Sequence, residues 1–174
     1  MQQRYSAVGF LGANSFLGEA TQTAFMRGVP DGGFGEDRTS VLDTLFHPDH
    51  PRPLIHLGSD FQVPPGTPVR SWSGGTVVEV YTDPADFCGW GTRVTVAAGL
   101  YMFVHAHLAE SAVRVGDTVC TETVLGPVGT YADNGGWFPH VHVQKCDQSW
   151  FRRFTPETLP GYATSVFGNY EIKA

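Results

Sequence analysis

Two histidines separated by a single residue, His140 and His142, are the side chains of this chain best suited to chemistry. Side chains two positions apart on a β-strand point to the same face, so both imidazoles would project into the same space. Imidazole is a common zinc ligand and the side chain that most readily moves protons near neutral pH. The pair therefore predicts a metal site or an acid–base site, provided that other segments supply partners.

Two other segments carry side chains of the same kind. His56 and Asp60 share a face if their segment is extended, and Gly58 between them removes a side chain that would crowd an ion. His105 and His107 form a second His-x-His pair. A hydrolytic zinc site needs three protein ligands, an open position for water, a base, and a group that stabilises the oxyanion. Together these histidines and the aspartate could supply all of them.

The elements that would position these residues are short β-strands. From residue 54 onward, β-branched residues recur between turns rich in Gly and Pro. Strands are predicted over 76–81, 92–96, 100–107 and around 141–143. The run 113–119 predicts a strand, a tight turn and a second strand, and the residues after Cys146 predict an irregular tail wrapped on the core. We expect a mainly β fold in which antiparallel pairing brings the histidine segments together.

The first fifty residues have a different texture. Short helices are predicted over 17–26 and 41–46, with glycines and prolines between and after them. We expect residues 1–50 to form an extension that packs on a β domain of residues 51–174, in one compact unit.

Bulk properties narrow the class of protein. The formal net charge is −6, from 11 Lys and Arg against 17 Asp and Glu, which argues against nucleic acid as a partner. No run approaches the roughly 20 apolar residues of a membrane span. No signal peptide is evident, which favours the cytoplasm, although an exported protein without its leader also fits. The three cysteines, Cys88, Cys120 and Cys146, are odd in number and widely spaced, which predicts reduced thiols. Nothing in the sequence indicates an oligomeric state.

Six motifs follow one another in a fixed order. They are His56-Leu57-Gly58-Ser59-Asp60, Pro64-Pro65-Gly66-Thr67-Pro68-Val69, Gly89-Trp90-Gly91, His107-Leu108, Val115-Gly116-Asp117-Thr118-Val119 and Pro139-His140-Val141-His142-Val143-Gln144. In this order they resemble the lysostaphin-type, LytM-like zinc metallopeptidases, a family that cleaves peptidoglycan. The resemblance spans roughly residues 54–144 and implies an antiparallel β-sheet metallopeptidase with a barrel-sandwich-type core.

The resemblance also implies roles for single residues. His56, Asp60 and His142 match the zinc ligands of the family, so Zn²⁺ is the expected cofactor, although such a ligand set accepts other divalent ions too. His107 and His140 match the two catalytic histidines, which would orient or deprotonate a water and stabilise the oxyanion. Which of the two is the base stays open.

The sequence departs from the family pattern at four positions around these motifs. Phe138 stands where the family has Gly, and Trp137 precedes it, so both could reshape a substrate groove. Gln144 replaces the common Glu, and His105 replaces a common Tyr. Both are candidates for supporting hydrogen bonds at the site, and packing within its strand is an equally open role for His105.

We therefore expect a zinc-dependent metallopeptidase that hydrolyses a peptide bond in peptidoglycan cross-links or in a related short peptide. One alternative is a non-catalytic or regulatory metal-binding domain of the same fold. Another is an intracellular zinc amide hydrolase of unknown substrate.

Overall fold

The computed structural model describes residues 33–39, 52–84, 89–134 and 138–172. The first strands of this part of the chain are β1 (Ile55–His56), β2 (Ser59–Gln62), β3 (Pro68–Arg70), β4 (Gly75–Thr82), β5 (Thr92–Ala98) and β6 (Tyr101–Leu108). They are followed by β7 (Thr118–Val119), β8 (Val124–Pro127), β9 (His140–Asp147), α1 (Gln148–Phe151), β10 (Tyr162–Ala163) and β11 (Asn169–Tyr170). The fold is mainly β, as predicted.

One antiparallel sheet organises the molecule. Its strands run in the order β11-β9-β6-β5-β4-β7, and β2 also pairs with β9. Because β2 pairs with residues 140–143 and β11 with residues 145–146, these two short strands share one edge of β9. Two further pairs, β1 with β10 and β3 with β8, complete the described strands, which form open sheets and no closed barrel.

Apolar side chains cover both faces of this sheet. One cluster includes Val94, Val96, Val141 and Val143, with β3 and β8 contributing Val69 and Leu125. The other includes Leu57, Met102, Val104, Cys146, Trp150 and Leu159. Strands that are covered on both faces are buried along nearly their whole length, and β6 and β9 follow this pattern.

Two predicted features differ from the structure. Of the expected hairpin over 113–119, only Thr118–Val119 is a strand. The Ser111 hydroxyl donates to the Val113 carbonyl and accepts from the Val113 N–H, and the Asp117 carboxylate accepts from the Arg114 N–H, so the backbone of Val113 and Arg114 is held in turns and forms no strand.

The tail after Cys146 is also more ordered than predicted. It forms α1 and then two short strands, β10 on β1 and β11 on β9.

The predicted helices over 17–26 and 41–46 lie outside the described residues. No helix in the described ranges is long and apolar enough to cross a membrane. Cys120 and Cys146 are free thiols, and Cys88 lies outside the described residues.

Candidate functional site

Three potential metal ligands meet where β2 crosses the start of β9. Asp60 is the direct cross-strand partner of His142, and β1 delivers His56 beside them. Asp60 Oδ1 lies 2.9 Å from His142 Nδ1 and 3.4 Å from His56 Nε2, and the two imidazole nitrogens are 3.0 Å apart. One ligand atom from each residue lies within 4.8 Å of the other two, which is the spacing expected around a single ion.

The protonation pattern of this group suits a cation. His56 Nδ1 lies 3.0 Å from the Gly33 carbonyl, which only accepts, so Nδ1 carries the proton and Nε2 is a bare acceptor. The carboxylate Oδ1 is an acceptor as well. Either a proton on His142 Nδ1 or a cation must therefore hold these atoms together. Two imidazole nitrogens and one carboxylate oxygen are ligands that Zn²⁺ prefers, so the residues fit the metal that the sequence predicts.

The absence of a side chain at Gly58 leaves room for the His142 ring. A Cβ built on Gly58 would lie 2.4 Å from His142 Nε2 and 2.7 Å from the Val143 carbonyl. Any side chain at this position would displace the imidazole or the backbone of β9. The clearance predicted for Gly58 thus serves the ligand ring directly.

The carboxylate of Asp60 is buried and charged. Burial raises its pKa, but the neighbouring His56 and His140 rings and the hydrogen bond from His142 lower it more, so the net pKa lies well below the ordinary value. Its second oxygen, Oδ2, accepts from Arg38 Nη2 at 2.9 Å. A fully ionised carboxylate is the form that binds a metal.

His107 and His140 form a second pair beside the ligands. Their ring centroids are 4.3 Å apart, and His140 Nε2 is 3.7 Å from Asp60 Oδ1. The Phe138 carbonyl accepts a hydrogen bond from His140 Nδ1–H at 2.6 Å, so the proton stays on Nδ1 and Nε2 faces the site without one. Burial, followed by the nearby His140 and His142, holds the pKa of His107 well below its ordinary value, so His107 is neutral.

A bulge turns His107 toward this group. His105 pairs with Val94 and Leu108 pairs with Thr92, so two residues of β6 oppose the single Arg93 of β5. At the bulge His107 adopts φ 64°, in the left-handed region. Its N–H donates to the Trp90 carbonyl at 2.7 Å, and its carbonyl accepts from the Gly129 N–H at 2.8 Å. The Trp90 ring is stacked on the His107 ring at 6.4 Å, which fixes the imidazole from one side.

The structure does not bring His105 to the site. His105 is the cross-strand partner of Val143, whereas His142 is the partner of Ala106, so the two imidazoles lie on opposite faces of the sheet. His105 Nε2 accepts from the Trp72 backbone N–H at 3.0 Å. Its contacts are those of a buried, satisfied core residue.

The other predicted supporting residues are placed as follows. Gln144 is buried on the same face of β9 as His142, and its Nε2 donates to Asn169 Oδ1 at 2.7 Å. Phe138 is 52% exposed, and its carbonyl accepts hydrogen bonds from His140 Nδ1 and from the Asn134 side-chain amide. Trp137 lies outside the described residues.

Two residues near the site have no counterpart among the sequence predictions. Arg38 joins Asp60 to Tyr162, whose hydroxyl accepts from Nη1 at 3.1 Å, and the Tyr162 ring lies 5.3 Å from that of His56. Neither belongs to a motif with characteristic spacing. The sequence offers one indirect signal for Arg38. A buried aspartate needs a positively charged partner, and few arginines lie near Asp60 along the chain.

Comparisons with known proteins place this site in a family. Residues 54–150, more than half of the chain, match the model of Peptidase family M23. The chain is 28% identical over 117 residues to the glycyl-glycine endopeptidase ALE-1 of Staphylococcus capitis, covering 66% of this chain and 31% of that protein. It is 27% identical over 121 residues to lysostaphin of Staphylococcus staphylolyticus, covering 66% and 23%.

A solved structure agrees with these matches. The catalytic domain of lysostaphin from Staphylococcus simulans superimposes with a TM-score of 0.50 at 25% identity, covering 71% of this chain and 92% of that domain. This chain spans less than a third of the length of the two curated relatives. The family match covers every residue of the ligand group and of the histidine pair, and the chain belongs to peptidase family M23.

Proposed function

We propose that this protein is a zinc-dependent metallopeptidase that hydrolyses a peptide bond, with His56, Asp60 and His142 as metal ligands and His107 and His140 as catalytic residues. The observation that carries the proposal is the convergence of His56 Nε2, Asp60 Oδ1 and His142 Nδ1 within 4.8 Å, directly beside the paired rings of the other two histidines.

The chemistry divides between the ion and the side chains. Bound zinc would act as a Lewis acid that lowers the pKa of a water and polarises the scissile carbonyl. His140 presents a bare Nε2 and can accept a proton, because the Phe138 carbonyl keeps the other nitrogen protonated. His107 is neutral and keeps one ring N–H, which can donate to a developing oxyanion. The reverse assignment of the two rings uses the same geometry.

Peptidoglycan cross-links are the substrate class that we propose. The relatives that support this choice include a protein named glycyl-glycine endopeptidase, to which the chain is 28% identical over 117 residues. A peptidoglycan substrate lies outside the cytoplasm, so the proposal includes export and departs from the cytoplasmic location that the sequence favours.

Metal analysis and hydrolysis assays on matched variants test the proposal. Native protein should bind one zinc ion and cleave muropeptides or glycine-rich peptides. His142→Ala should lose the metal, whereas His107→Ala and His140→Ala should keep it and lose about 10²–10⁴-fold in turnover, the usual contribution of general acid–base groups. His105→Gln, which removes an imidazole from the opposite face, is the control and should keep both metal and turnover.

A zinc-binding domain without turnover is the second candidate. Gln144 favours it, because the amide at this position bonds Asn169 where the family commonly carries a carboxylate. Stoichiometric zinc together with no cleavage of any peptide tested would support this candidate. Cleavage of a small non-peptide amide alone would instead support the zinc amide hydrolase that the sequence also allows.

A further inference from the structure

The two oxygens of the Asp60 carboxylate have different partners, because Arg38 binds only one of them. Its guanidinium is almost completely buried, and Nη2 donates to Oδ2 at 2.9 Å. The other oxygen, Oδ1, faces His142 Nδ1 at 2.9 Å and His56 Nε2 at 3.4 Å. With only 2% of the Asp60 side chain exposed, no solvent competes for either oxygen.

Backbone hydrogen bonds fix Arg38 in this position. The Arg38 N–H donates to the Leu54 carbonyl, and the Gly35 N–H donates to the His56 carbonyl, each at 2.9 Å. The His56 N–H returns a bond to the Glu36 carbonyl at 2.9 Å. Residues 33–39 therefore run along β1 and deliver both the Gly33 carbonyl that orients His56 and the guanidinium that orients Asp60.

A second anchor comes from the other side of β1. Tyr162 on β10 accepts from Arg38 Nη1 at 3.1 Å, so the two ends of the guanidinium fork bond two different groups. Turning the carboxylate to offer both oxygens to an ion would break a charge-assisted hydrogen bond and leave a buried guanidinium without its anion. The loss of one partner from a buried ion pair is strongly destabilising, because it leaves an uncompensated charge in the interior.

We propose that Arg38 is a positioning residue that commits Asp60 to bind the metal through Oδ1 alone. The inference rests on the metal site of the proposed function. Its consequence is that one oxygen of the carboxylate stays off the ion, which keeps a coordination position for water or for the substrate carbonyl. Arg38 acts through Asp60 and touches neither the ion nor the substrate.

Cobalt(II) in place of zinc gives a readout that a merely structural ion pair would not change. The visible absorption of cobalt(II) depends on the number and geometry of its ligands. In Arg38→Met the freed Oδ2 should join the ion, which weakens and shifts the visible bands. Zinc affinity, measured by chelator competition, should fall about 10–100-fold, as is usual when a group that supports a ligand is lost.

Two further variants complete the experiment. Arg38→Lys keeps the charge but not the fork, so it should change both quantities in the same direction by less. Arg70→Met removes an arginine from a loose surface pair with Glu122, at 3.9 Å, and should match the native protein in both. A native spectrum and a native zinc affinity in Arg38→Met would overturn the proposal. If that variant does not fold, as judged by circular dichroism, the same result in Arg38→Lys would overturn it.

The outcome separates this inference from the function on which it rests. If native protein binds neither zinc nor cobalt, the proposed function fails and this inference fails with it. If native protein binds zinc and cleaves peptides while Arg38→Met has an unchanged spectrum, only the role of Arg38 fails.

Discussion

Backbone carbonyls decide which nitrogen each histidine of the site presents. The Gly33 carbonyl holds the proton of His56 on Nδ1, and the Phe138 carbonyl does the same for His140. His56 and His140 therefore both offer Nε2 to the site, whereas His142 offers Nδ1. A ring fixed in one tautomer needs no rearrangement when an ion or a proton arrives, which favours both binding and proton transfer.

Gly58→Ala should damage the ligand group without altering any ligand. The added methyl carbon would lie 2.4 Å from His142 Nε2 and 2.7 Å from the Val143 carbonyl, so the ring and β9 must both shift. We expect about 1–3 kcal/mol of lost stability in the metal-free protein, the usual cost of overpacking, and zinc binding at least about tenfold weaker. Thermal unfolding and chelator competition measure the two effects. Gly74→Ala is the control, since its Cβ would meet nothing nearer than 3.6 Å. Equal zinc affinities in the two variants would contradict the role given to Gly58.

The sequence could predict side chains that lie in motifs, but not those whose role depends on distant contacts. His56, Asp60 and His142 lie on β-strands. The alternation of side chains places the ligands of β2 and β9 on one face of the sheet, and the sequence alone predicts that shared face. Arg38 is 22 residues from Asp60, in a segment without periodicity, and only the folded chain brings them together. Whether these residues bind zinc stays a prediction of the site.

At the scale of elements, a single bulge separates two histidines that strict alternation would place together. Side chains at 105 and 107 share a face on a regular strand, but the extra residue opposite Arg93 and the left-handed φ of His107 break the period. The positions of the strands follow from β-branched runs and turns. The bulge has no such signal, because it depends on the fit of β5 against β6 and on the bonds that Trp90 and Gly129 make to His107.

The burial of His105 should make the stability of the sheet depend on pH. Burial lowers the pKa of His105 from an ordinary 6.5 to about 4, so between these values the unfolded chain binds a proton that the folded chain excludes. Stability must therefore fall as pH falls from 6.5 to 4, by up to about 3 kcal/mol from this residue. His105→Gln keeps an acceptor for the Trp72 N–H but does not titrate.

Denaturant unfolding at pH 7, 6, 5 and 4 measures this difference. The native protein should lose up to about 3 kcal/mol more than His105→Gln over this range. The two proteins share every other titratable group, so the contributions of those groups cancel in the comparison. Parallel stability curves would show that His105 is not excluded from protonation.

At the scale of the whole molecule, distant parts of the chain hold the ligand strands. Two-residue β1 is paired with β10 on one side and bonded to residues 33–39 on the other. β2 and β11 lie end to end along the edge of β9. Strands this short have little stability of their own, so the site depends on segments more than 100 residues apart. An ion bound by ligands on β1, β2 and β9 would tie these segments together.

Zinc should therefore stabilise the folded protein and protect these strands. A ligand that binds only the native state adds about 2.7 kcal/mol at 100 times its dissociation constant, which corresponds to about 5–10 °C in Tm for a chain of this size. We expect this rise in native protein and none in His142→Ala. Hydrogen exchange should slow on zinc binding in β1, β2 and the first half of β9. The slowing should be smaller in β4, which carries no ligand and lies on the far side of β5 and β6 from β9. Uniform protection of all strands would instead mean that the ion stabilises the fold as a single unit, and unchanged exchange in β1 would contradict the place of His56 among the ligands.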